Sequence, residues 1–253
     1  MDEVQMKSRI FFLSLCVIIF TFATINSYAQ FGIDLEGGIA RSGYNDVRIP
    51  GDTGTKFSLS EELKAENVFY YRLRLNYTFN RKHTVSLLYA PLTFQSKGTF
   101  DNDVIFQETT FPAGAEIDGT YTFNSYRLTY RYQVYRSDKF DLGFGLTAKI
   151  RDATIRLESG VLDDVKDNLG FVPLINFRAF YEFSDVFGLL FTGDALAAPQ
   201  GRAEDVLAAL TWDVVEKVRL KAGYRILEGG ADNDEVYTFA LVHFGVLGVN
   251  YSF

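Results

Sequence analysis

The chain is poor in several residue types, and each shortage excludes a class of function. Of 253 residues, one is cysteine, two are histidine and five are proline. The single cysteine, Cys16, lies in an apolar run near the N-terminus. Everything after it is free of thiols, so a disulfide framework, a thiolate nucleophile and a cysteine metal centre are excluded there. Long apolar runs are also scarce. A membrane-crossing helix needs about 20 consecutive apolar residues, and only residues 10–24 come near that. Basic charge is short, with 25 Lys and Arg against 32 Asp and Glu and a net charge of −7. A nucleic-acid-binding surface needs a basic face, so no nucleic-acid partner is expected. No Pro-rich, Ser-rich or low-complexity linker divides the rest, which reads as one domain.

What the chain does have is aromatic side chains, 16% of residues, and a mean hydropathy near zero. The N-terminal run has Lys7 and Arg9 ahead of it and Ser27-Tyr28-Ala29 behind it. A basic segment, an apolar segment and a small-x-small site together describe a cleaved secretory signal peptide over residues 1–29. The expected mature chain starts at Gln30. Asp2 and Glu3 are unusual in a basic leader, which leaves Met6 as an alternative start. Leu15 before Cys16 is not small, which argues against a lipoprotein site. Losing the signal removes two acids and two bases, so the net charge stays at −7.

From Gln30 onward the pattern is alternation with period two, the mark of strands with two unlike faces. The clearest case is residues 67–79, where Phe69, Tyr71, Leu73, Leu75, Tyr77 and Phe79 oppose Tyr70, Arg72, Arg74, Asn76 and Thr78. Similar segments are expected at 31–40, 84–96, up to 135, from 140 past 150, at 171–183, 187–196, 206–214, 218–226 and up to Phe253. That makes ten, with eight or twelve as alternatives. Short turns fall near 80–83, 136–139, 184–185 and 215–217. Longer loops are expected at 41–66, 97–119, 158–170, 197–205 and 229–235. The parity of residues 84–96 stays open.

The last strand alternates Tyr237, Phe239, Leu241, His243, Gly245, Leu247, Val249, Tyr251 and Phe253 with Thr238, Ala240, Val242, Phe244, Val246, Gly248, Asn250 and Ser252. A terminal strand of this kind, closed by Phe and preceded by a secretory signal, resembles that of bacterial outer-membrane β-barrel proteins. The stretches 193–205 and 223–232 further resemble a group of uncharacterised outer-membrane barrel proteins, a likeness that brings no activity with it. The resemblance implies an all-β, single-chain, antiparallel up-and-down transmembrane barrel over residues 30–253 with five extracellular loops. It also implies bacterial outer-membrane lipid as surroundings and the barrel-assembly machinery as a partner, reached through the strand ending at Phe253. The alternative is a soluble lipocalin-like barrel with its polar face outside.

If the apolar faces meet lipid, the other faces line a lumen. The inward set then holds Arg72, Arg74, Arg127, Arg131, Lys149, Arg151, Arg178, Arg219, Lys221 and Arg225, against Asp34, Glu36, Asp141, Glu182, Asp194 and Asp213. One reading is an ion-pair plug, since a small barrel has an interior that side chains can fill. The other is a constriction or pocket selective for anions, which rings of Arg and Lys favour. A second cluster is expected at the outer mouth, from Asp194, Arg202, Glu204 and Asp205 beside one loop and Arg225 and Glu228 beside the next. It reads either as a salt-bridged rim or as a binding site. Asp232, Asp234 and Glu235 lack the spacing of a calcium loop, and no metal or cofactor is expected.

Enzymatic barrels of this membrane, such as omptin-like proteases and lipid A deacylases, use a histidine. Here His83 falls in a predicted turn beside Arg81 and Lys82. His243 falls on the lipid-facing parity with glycine, not serine, two residues on. Nucleophile and base need hydrogen-bond reach, so no catalytic residue is assigned. Three functions stay open. The first is a structural or binding barrel with possible narrow anion conduction. The second is an outer-leaflet enzyme using the mouth carboxylates. The third is an adhesin acting through loops 41–66 and 97–119.

Overall fold

The computed structural model describes residues 30–199 and 201–253. The expected signal peptide lies outside them. Ten strands form the wall: β1 (Gln30–Arg48), β2 (Val68–Phe79), β3 (His83–Ala90, resumed after Pro91 and Leu92 as Thr93–Thr99), β4 (Glu116–Arg136), β5 (Phe140–Ser159), β6 (Leu162–Glu182), β7 (Phe187–Ala198), β8 (Gly201–Val215), β9 (Val218–Asp232) and β10 (Tyr237–Ser252). Each pairs antiparallel with the next, and β10 pairs with β1. The pairs starting at Phe31 pass through Tyr77, Val85, Tyr130, Leu146, Ile175, Ala195, Glu204, Glu228 and Leu241 and return to β1 at Tyr44. The ring therefore climbs as it closes, which is the tilt that barrel closure requires.

Every wall strand turns an apolar side chain outward at mid-height. Leu35, Leu73, Leu87, Leu128, Leu146, Ile175, Leu189, Leu210, Leu220 and Leu247 are all exposed, one from each strand. A continuous apolar band of this size is not compatible with water and marks a lipid-facing surface. At the short-turn end an aromatic girdle borders it, with Phe31 against Phe253 and Phe187 between Phe183 and Trp212. Such rings sit where hydrocarbon meets head groups.

Several boundaries differ from the sequence reading, for one reason. Beyond the hydrocarbon a strand has no face that must be apolar, so its polar alternation looks like a loop. The expected loop 158–170 is the upper part of β5 and β6, turned by Gly160 and Val161. Gly160 has φ 61°, a left-handed conformation that glycine adopts without steric cost. The expected loops 197–205 and 229–235 are likewise mostly strand. His83 opens β3 instead of sitting in the turn, and its Nδ1 lies 2.8 Å from the Tyr130 hydroxyl. The parity of β3 resolves with Thr84, Ser86, Leu88 and Ala90 inward and buried.

β1 carries a bulge between Ser42 and Tyr44. It shifts the alternation by one residue, so Asn45, Val47 and Ile49 become the buried positions. Gly43 occupies the extra place, where a Cβ would stand 2.6 Å from the His243 ring nitrogen. The switched residues meet the two long connections. Phe57, Leu59 and Leu63 from the first and Phe100, Val104, Phe106 and Phe111 from the second pack with Val47, Ile49, Ile117, Ile155 and Leu157. These connections are therefore not free loops but an apolar cap across the barrel mouth.

Leu146→Arg places a charge at the middle of the lipid face. It should cost about 2–4 kcal/mol, read from urea titration of the folded barrel in phospholipid vesicles. An unchanged midpoint would mean that this surface does not meet lipid.

Candidate functional site

The lumen is divided in the middle by a belt of charged side chains. β1 supplies Asp34 and Glu36, β2 Arg72, β4 Arg127, β7 Asp194, β8 Asp205, and β9 Lys221 and Arg225. All occupy inward positions of their strands. Asp205, 2% exposed, is the hub. Its carboxylate accepts from Arg72 at 2.8 Å and also contacts Arg225, while Arg127 stands at 2.7 Å. Arg225 also donates two bonds to Glu36, at 2.7 and 2.9 Å. The Lys221 ammonium bridges Asp34 and Glu36 at 2.7 and 2.6 Å. Asp194 takes Arg127 at 2.7 Å, Thr147 at 2.6 Å and Asn176 at 2.8 Å. Four carboxylates thus face four cations. Burying isolated charges would be prohibitive, and mutual pairing with forked guanidinium donors makes it tolerable.

Below the belt, toward the short turns, lies a polar cavity of about 410 Å³. Arg74, Arg131 and Arg178 line it, and none has a carboxylate within ion-pair distance among the described residues. Arg178 instead lies against Phe180, 5.4 Å from the ring centroid. At the bottom, Arg219 pairs with Asp213, and Arg136 with Asp141 at 3.0 Å. Glu182 takes an inward position near the same end. Above the belt, beneath the cap, is a second cavity of about 450 Å³, with Lys149 and Arg151 on its wall.

The strands place Arg72, Arg74, Arg127, Arg131, Lys149, Arg151, Arg178, Arg219 and Lys221 at inward positions. The expected mouth cluster is corrected, because its six residues separate. Asp194, Asp205 and Arg225 are central belt members, placed there because β7, β8 and β9 continue past their expected ends. Arg202, Glu204 and Glu228 project from the outer face of the wall. There Arg202 holds Glu228 at 2.8 and 2.9 Å, Tyr44 donates to the same carboxylate, and Arg202 covers the Phe239 ring at 4.9 Å. Glu204 stands beside Glu228 in register. Asp194 and Glu228 therefore sit on opposite sides of the barrel wall and cannot share one substrate. The sequence reading put Asp205 at the mouth and not in the lumen, because Glu204-Asp205 next to Arg202 resembles loop composition. The parity of Val206 and Leu207 was the signal that could have placed it.

A closed antiparallel barrel of ten strands, apolar outside and charged within, is the architecture of outer-membrane β-barrel proteins, and this chain has it. No protein-family model and no curated protein matches the chain. Solved structures do. The outer membrane protease OmpT from Escherichia coli is similar with a TM-score of 0.54 at 12% identity, covering 88% of this chain and 97% of that one. Ail, the attachment invasion locus protein of Yersinia pestis, gives 0.39 at 14% identity over 89% of this chain and 99% of that one. Neisserial surface protein A gives 0.36 at 13% identity over 88% and 97%. These likenesses concern the fold alone.

Removing the hub should be costly, because Asp205→Ala takes a shared carboxylate from three buried guanidinium groups and leaves them only Glu36 and Asp194. A loss of about 3–5 kcal/mol is expected, measured by urea unfolding in vesicles. Lys97→Ala, which breaks an exposed pair with Asp118, should leave the midpoint nearly unmoved. Equal effects would refute the hub.

Proposed function

We propose that the protein is an outer-membrane barrel of binding type whose lumen is closed to through-flow. One observation carries this reading: Asp205 gathers Arg72, Arg127 and Arg225 across the lumen, and every one of these side chains is buried. The lower cavity ends at this belt, and the upper cavity stops short of it, at the layer of Phe123, Lys149, Ala203 and Leu227. The apolar cap over the second cavity supports the same reading. In this proposal the short turns face the periplasm, the capped end faces outward, and the chain is exported with a cleaved signal. Insertion uses the terminal strand ending at Phe253, as the assembly machinery of this membrane requires.

Narrow anion conduction is the second reading, favoured by Arg74, Arg131 and Arg178 around the lower cavity. An adhesive role through the long connections has less support, since their large apolar side chains point into the cap. Reconstitution in planar bilayers separates these readings. The wild-type protein should be silent, and Asp205→Ala, if it still inserts, should raise brief anion-selective openings. Steady anion-selective current from the wild type would end the closed-lumen reading in favour of conduction.

A further inference from the structure

The upper cavity differs in chemistry from the lower one. Its walls are mainly apolar, with Tyr121, Phe123, Ile155, Leu196, Leu227 and Val242 among them. Four cations nevertheless line it: Arg202 is paired with Glu228 at the rim, whereas Lys149, Arg151 and Lys166 have no carboxylate within ion-pair distance among the described residues. Lys149 is 3% exposed. Its ammonium lies 4.6 Å from the centroid of the Phe123 ring and has no hydrogen-bond acceptor among the described residues. Arg151 donates to Asn168 through Nη2, while its Nε, like that of Arg225 in the belt, is buried without a partner. A few residues away, the belt cations are all paired. A ring face compensates an ammonium in an apolar cavity only in part, and such charges are otherwise paired, hydrated or bound to a ligand. An anion would supply a counter-charge here, and the walls around it suit hydrocarbon.

The wall also opens where such a molecule would arrive. Pairing between β6 and β7 ends at Ile175 with Ala195. Above that, β6 runs on to Leu162 paired in the sheet only with β5, with Gln107 of the cap donating to the Val165 carbonyl at 2.7 Å, and the end of β7 is paired only with β8. Phe171 and Pro173 on one rim and Ala198 and Gly201 on the other line the cavity. Leu169 and Phe171 are 76% and 69% exposed beside the gap. Unpaired strand backbone cannot face hydrocarbon, so this rim belongs at the level of the lipid head groups. The cap packs at the mouth above and the layer of Phe123, Lys149, Ala203 and Leu227 separates the cavity from the belt, so the β6–β7 gap is the side that faces lipid.

We propose that the upper cavity binds a single-chain anionic amphiphile taken from the membrane through the β6–β7 gap, with its head group on Lys149 and Arg151 and its chain along the apolar wall. This rests on the binding-type reading above and adds the ligand class and the route. The volume is within the ordinary range of small-molecule sites.

The test uses the full mature protein in lipid nanodiscs, with radiolabelled dodecanoate and dodecanol as probes and empty nanodiscs subtracted. Dodecanoate should bind at least about tenfold more tightly than dodecanol, the scale of a charged hydrogen bond. Lys149→Met should abolish that preference while dodecanol binding persists, and Lys149→Arg should restore it. Ala203→Trp, which fills the cavity, should weaken both probes. Retained dodecanol binding also shows that Lys149→Met is folded. Equal affinity for the two probes, or an unchanged preference in Lys149→Met, overturns the head-group assignment and leaves the closed-lumen reading intact. No binding of either probe overturns the cavity as a site. Association rates at fixed total probe should rise as added lipid moves dodecanoate out of water. A rate that follows the aqueous concentration instead overturns the lateral route. Conductance in planar bilayers is the separate outcome that removes the underlying reading.

Discussion

Hydrocarbon offers a backbone amide no partner, and the architecture of this protein follows from that constraint. A sheet meets it only by closing on itself, and β10 pairing with β1 completes the ring. Closure then sorts the side chains. Period-two alternation sends one set into lipid and the other into a space too narrow for free solvent. The leucines of the outer band and the guanidinium groups of the lumen are therefore two consequences of one geometry. Where the pairing lapses, between upper β6 and β7, the same constraint places the lapse near the head groups.

The lumen handles its charges in three ways. In the middle they are balanced, four against four, with Asp205 and Glu36 each shared among several cations. Below, Arg74, Arg131 and Arg178 face a polar cavity. Above, Lys149 and Arg151 line a largely apolar cavity and have no carboxylate within ion-pair distance among the described residues. Strongly paired charges make a rigid partition. Uncompensated charges in an apolar setting mark a place where binding energy is available. The belt therefore reads as structure and the upper cavity as function.

Much of this was legible in order. The parity of Phe69 to Phe79 against Tyr70 to Thr78 gave the two faces, and the inward placement of Arg72, Arg127, Arg178 and Lys221 followed from counting by twos. The count of ten strands came the same way. What escaped were features set above the hydrocarbon, where parity no longer correlates with polarity. The β5–β6 extension looks like a loop because Asp163, Asp164 and Asp167 put acids on both faces of β6 and break the alternation. The Gly43 bulge leaves no pattern that distinguishes it from a loop onset, yet it turns Val47 and Ile49 toward the cap.

The sequence by itself determined that this chain is a membrane barrel, which residues point to lipid and which point inward, because those follow from a local repeat and a universal need to pair amides. Only the tertiary structure decided which inward charges meet. Asp205 with three arginines and Lys149 with none are facts of register, tilt and cross-lumen distance, relations between strands far apart in the chain that no local pattern encodes.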